Sequence, residues 1–194
     1  MKKTPKTEDT KTRILRIAAA VFYKHGYRAT GVELIAKSAG IKKATLYHHF
    51  TDKDQLIKET LEQLSAESHA YLVKAWNKKG LTTITRLTVL FDELEAFFKR
   101  PDCCGCPFIN AAGEYTDKKS IPHRICEAHF GFIAKNLEQF AREAGLMKPR
   151  VVAKRIVTVI TGCYSSWFVA GMEDAARQAK YIAELIIQEH TPHD

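Results

Sequence analysis

No run of 18 apolar residues occurs anywhere in the 194-residue chain, so an ordinary transmembrane helix is excluded. The opening stretch MKKTPKTEDTKTR is basic, but no apolar core follows it. A secretory signal needs that core, and the sequence therefore points to a cytoplasmic protein with no membrane partner. Internal repeats and glycine-rich phosphate loops are missing, and apolar–polar alternation is nowhere sustained enough for a strand. Cysteine is scarce. The five present are expected to be thiols or ligands in a reducing cytosol, not structural disulfides. Cys103, Cys104 and Cys106 lie within four residues, and His123, Cys126 and His129 follow at steps of three. A thiol switch or a soft-metal site could be built from such residues. The two Cys-x2–4-Cys pairs of a standard zinc site are not there, so no metal is assigned. With Cys106 as nucleophile and His123 or His129 as base, no third orienting residue stands out. The chain is accordingly expected not to be an enzyme and to need no cofactor.

Acidic charge is what the first quarter lacks. Residues 1–55 hold 12 Lys and Arg against 5 Asp and Glu, whereas residues 56–194 hold 18 against 17. Almost the whole net charge of +8 thus sits in the first 55 residues, where a polyanionic partner is the simplest reading.

What remains reads as helix throughout. Ile14, Ile17, Ala18, Val21 and Phe22 recur at helical spacing, and Gly26 ends that helix. Thr30 with Glu33 has the pattern of a capping box for a short helix over about 32–38. Gly40 follows, then a third helix over about 43–50. Thr51 is placed to cap a long fourth helix over about 53–76. Leu87, Leu90, Phe91, Leu94 and Phe98 mark a fifth helix within 81–100. Further helices are predicted from Pro107 to about Glu114, from His123 to about Ala144, over 150–170 and over 173–190. The fold class is all-α, with about nine helices: a head at 1–55 and a helical body at 56–194.

The spacing of Ile35, Ala36, Ala39, Gly40, Ile41 and Leu46 suits a helix-turn-helix. A small residue is needed where the helices cross, and a glycine where the tight turn requires a positive φ. The face left exposed carries Lys42, Lys43, Thr45, Tyr47 and His48, groups suited to phosphates and base edges in a major groove.

The stretch ATGVELIAKSAGIKKATLYHHFTDKDQL resembles the N-terminal domain of TetR-type transcriptional regulators. The motif covers about residues 10–60, and beyond it the likeness is one of length and helix layout. The resemblance implies a three-helix DNA-binding head, a connecting fourth helix and a body that binds a ligand and dimerises. It implies that the third helix enters the major groove of double-stranded DNA and that Lys53 meets a phosphate. Lys42 stands where such proteins usually have a capping Ser, and Ala44 where Gly or Pro is common. On this reading a homodimer bound to a palindromic operator is released by a small-molecule effector. The last two helices are the expected dimer face, through Ile156, Val159, Ile160, Cys163 and Trp167 on one and Ala176, Ala179, Ile182, Ala183 and Ile186 on the other. Gly162 and Ser166 would let a partner helix approach. Most body aromatics are expected in the core, but Phe130, Tyr164 and Trp167 are candidates for a ligand site, with Cys106, Phe108, Asn110 and Glu114. The alternative control is a thiol- or metal-responsive one through Cys103, Cys104, Cys106 and Cys126.

Overall fold

The computed structural model describes residues 9–192, and these form an all-helical protein. Among them nine helices follow one another: α1 Thr10–His25, α2 Val32–Ser38, α3 Lys43–His49, α4 Lys53–Trp76, α5 Thr83–Phe98, α6 Pro107–Glu114, α7 Ile121–Glu143, α8 Pro149–Phe168 and α9 Ala175–Glu189. The basic start of the chain, residues 1–8, lies outside the described residues. No helix among the described residues is long and apolar enough to cross a membrane.

Two compact units emerge. One takes the described residues up to Ala66 and adds Pro107–Cys126; the other takes Glu67–Cys106 and the chain from Glu127 onward. The boundary expected near residue 55 therefore falls inside α4. Leu56, Ile57 and Leu61 on the first turns of that helix are fully buried, so those turns belong to the head's core.

In the first unit α1 packs on α2 and α2 on α3. Asp9 caps α1, its carboxylate accepting from the backbone N–H of Lys11 at 2.8 Å and of Thr12 at 3.1 Å. Ile14, Ala18, Phe22, Ile35, Leu46 and Phe50 are buried almost completely. Two caps differ from expectation. The Thr30 hydroxyl donates to the Gly26 carbonyl at 2.6 Å, leaving α2 without a side-chain cap. At α4 the capping acceptor is Asp52, which takes the Gln55 N–H at 2.7 Å, while Gln55 reaches back to Thr51.

In the second unit α9 lies against both α5 and α8. Leu87, Leu90, Phe91, Leu94 and Phe98 of α5 form a buried stripe with Leu137 and Phe140 of α7. Helix α7 starts at Ile121, earlier than expected, because Pro122 fits a first turn, where its missing N–H is not needed. Most of the two stripes expected to face a second protomer build this core, while Ile182 stays exposed. Ile156, Ile160 and Cys163 of α8 and Ala176, Ala179 and Ala183 of α9 are all buried within it. The alanines let α9 lie close. The faces of these two helices that reach solvent carry Thr158, Gly162, Ser165 and Phe168, and Tyr181, Ile182 and Leu185.

Candidate nucleic-acid interface

The site is built by one tight turn. Gly40 takes φ +64°, and just after it the Ile41 N–H bonds the Ala36 carbonyl at 3.0 Å. Ala36 is buried and Leu46 wholly so, which seats α3 on α2; Ile41 is half-buried. With Leu46 pointing inward, α3 turns Lys43, Tyr47 and His48 outward, with Lys42 exposed at its N-terminus and Thr45 half-buried. Tyr47 is 44% exposed, which leaves its ring accessible from solvent. The Lys42 side chain makes no capping bond, so its charge is not spent on the helix end.

Lys43 is engaged in the free protein. Its ammonium pairs with the Glu33 carboxylate and lies 5.8 Å from the Tyr47 ring centroid. The Lys43 hydrogen bond holds the Glu33 carboxyl below its ordinary pKa, and the same bond raises that of Lys43. Lys53 is half-buried, and its ammonium donates to the Arg28 carbonyl at 2.7 Å. Arg28, which sequence spacing did not single out, thereby joins the site from the α1–α2 turn.

The residues considered for a ligand site are divided between the two units. Phe108, Asn110 and Glu114 belong to the first unit; Cys106, Phe130, Tyr164 and Trp167 belong to the second. Phe108 and Cys106 are buried. Phe98 stacks on Trp167 at 4.6 Å between centroids and meets the Tyr164 ring edge-on at 5.4 Å. Glu114 is occupied elsewhere, its two carboxylate oxygens accepting from the Tyr27 and Arg28 backbone N–H groups. No spacing rule could have found that, because the partners lie 87 and 86 positions away. The cysteines divide too: buried Cys126 belongs to the first unit, and half-buried Cys103 and Cys104 with buried Cys106 belong to the second. Among the described residues no group of three or more His, Cys, Asp or Glu side chains is placed to hold a metal ion.

A basic, exposed second helix on a glycine turn, seated by one buried leucine, defines the first unit as a helix-turn-helix DNA-binding head. Residues 14–60 match the family described as bacterial regulatory proteins, tetR family. The HTH-type transcriptional repressor KstR2 of Rhodococcus jostii is 43% identical over 63 residues, which are 29% of this chain and 31% of that protein. The HTH-type transcriptional regulator UidR of Escherichia coli is 39% identical over 56 residues, 29% of either chain. The matches thus span less than a third of these relatives' own length. Over the whole fold, a TetR-family transcriptional regulator from Streptomyces coelicolor superposes with a TM-score of 0.86 at 22% identity, covering 94% of this chain and 96% of its own. Over residues 14–60 the head is thus similar to the tetR family, and the chain shares the fold of the Streptomyces regulator.

Proposed function

We propose that this protein is a repressor that binds a palindromic DNA operator as a homodimer and is released by a small-molecule effector. The observation that carries the proposal is α3, whose outward face presents Lys42, Lys43, Thr45, Tyr47 and His48 above a buried Leu46. Lys42, Lys43 and Lys53 are the phosphate-seeking groups, and Thr45, Tyr47 and His48 the candidates for base edges. A single small head binds weakly, so two copies reading half-sites about 34–36 Å apart are required. The surface that joins them is the outward face of α8 and α9, where Gly162 and Ser165 permit close approach and Tyr181, Ile182 and Leu185 supply apolar area. Repression agrees with the name of the Rhodococcus relative. The effector is assigned to the body, where half-buried Phe130, Tyr164 and Trp167 offer aromatic surface.

The test is titration of the purified protein into DNA fragments from upstream of its own gene, read by gel shift or fluorescence anisotropy. Saturable binding that weakens steeply with salt is expected. Absence of such binding to every upstream fragment overturns the proposal.

A further inference from the structure

Glu114 is the last residue of α6, yet its carboxylate reaches the turn that follows α1. Oε1 accepts from the Tyr27 N–H at 2.8 Å and Oε2 from the Arg28 N–H at 2.7 Å. Gly26, just before this pair, has φ +85°, and a Cβ built there would stand 3.1 Å from Oε1. Only glycine gives both the backbone angle and the room for the carboxylate. Three further contacts converge on the turn. The Arg28 guanidinium lies 5.0 Å from the centroid of the Tyr115 ring. The Arg28 carbonyl takes the Lys53 ammonium at 2.7 Å. The Thr30 hydroxyl closes onto the Gly26 carbonyl at 2.6 Å.

We infer that Glu114 is a positioning residue of the DNA-binding head: its carboxylate clasps the backbone between α1 and α2 and so fixes Lys53 and the start of α2 for DNA. The inference rests on the DNA-binding reading above. Hydrogen bonds to an ionised carboxylate are the strong kind, and two adjacent N–H groups on one carboxylate leave the turn little freedom. Arg28 is held on both sides, its N–H by Glu114 and its carbonyl by Lys53. Where the turn sits therefore sets where the Lys53 charge sits. An ammonium has three donors, so Lys53 keeps Arg28 with one and offers another to a phosphate. Ordering these groups before DNA arrives removes an entropy cost from binding. DNA affinity then depends on a carboxylate more than fifty residues beyond the matched stretch 14–60.

Full-length Glu114→Ala and Glu114→Gln proteins test this against the operator fragment bound by the wild type. Glu114→Ala is expected to bind about tenfold more weakly. Its plot of log K against log salt is expected to be shallower by about 0.9 per protomer, one lost phosphate contact. General loosening of the fold would leave that slope alone. Glu114→Gln keeps one acceptor oxygen and is expected to fall between the two. Amide hydrogen exchange at Tyr27 and Arg28 is expected to quicken in Glu114→Ala while the amides of Ile35 and Leu46 stay protected. If Glu114→Ala does not fold, Glu114→Gln carries the same measurements. Wild-type affinity and salt slope in the variants overturn the inference while the DNA-binding reading stands; so do unchanged Tyr27 and Arg28 exchange rates. A wild-type protein that binds no DNA overturns the reading beneath it, while exchange still reports on the clasp.

Discussion

His129 is the most heavily perturbed imidazole in the second unit. It is 4% exposed, stacks on His69 at 5.0 Å, and is pushed down to about 3 by burial, with the neighbouring His69 adding repulsion. In the unfolded chain the same ring takes its proton near 6.5. Folding therefore shuts out a proton across that interval. Stability is complete above about pH 6.5 and falls as pH drops toward 3. At pH 5 the loss from this group is about 2 kcal/mol. Urea unfolding at pH 7 and pH 5 measures it, and His129→Phe, which cannot titrate, should lose less. An equal fall in the variant would place the source elsewhere. Gly26 gives a second expectation at this scale. Gly26→Ala forces a Cβ onto φ +85° and against Glu114, so a loss of at least about 1–2 kcal/mol is expected in the unfolding free energy measured in urea. Residue roles set by near neighbours were readable beforehand. Gly40 needed its positive φ because the chain reverses there, and Leu46 had to be buried because the helix pair has one inner face. Glu114 was not readable, since its role depends on a turn folded 87 positions earlier.

Helix bounds were largely visible in the sequence because stops, caps and periodicity act over a few residues. Gly26 ends α1, Pro101 follows α5, and Gly145 closes α7. Most of the stripe residues expected against a second protomer pack within their own unit, while Ile182 stays exposed. Periodicity on α8 and α9 shows that one face is buried but not against what. Ile156, Ile160 and Cys163 fill the unit's own core, where burial raises the Cys163 thiol to about 11 and leaves it unreactive. The two faces of α8 should therefore respond differently to substitution. Gly162 is exposed, and a Cβ there meets nothing within 4 Å, so Gly162→Glu should leave the protomer's stability intact. A carboxylate on the joining face should nevertheless give a monomer by light scattering. Ile160→Ala should instead cost about 2–5 kcal/mol of folding stability by opening the core. A dimer that survives Gly162→Glu would move the joining surface off this face.

Across the whole molecule the charge is lopsided, and this decides how binding should depend on salt. Of the net +8, +7 lies in residues 1–55. Phosphate contacts release counterions, so each one lost reduces the slope of log K against log salt by about 0.9. Lys53 is a cation held at the start of α4 by the Arg28 carbonyl, and no carboxylate in the described structure is bridged to it. Lys53→Ala should therefore weaken binding to every fragment alike and lower the slope by about 0.9 for each protomer. Lys43 differs. Its charge is partly met by Glu33 in the free protein, so part of what a phosphate offers is already supplied. Lys43→Ala should then cost less affinity than Lys53→Ala. Tyr47 is uncharged and projects from the middle of α3. Tyr47→Ala should weaken binding and relax the preference among fragments while leaving the slope unchanged, because no counterion is involved. Titrations at several salt concentrations separate the three. An unchanged slope for Lys53→Ala would remove it from the phosphate contacts, and a changed slope for Tyr47→Ala would mean that the ring orders a neighbouring cation, Lys43 being the one 5.8 Å away.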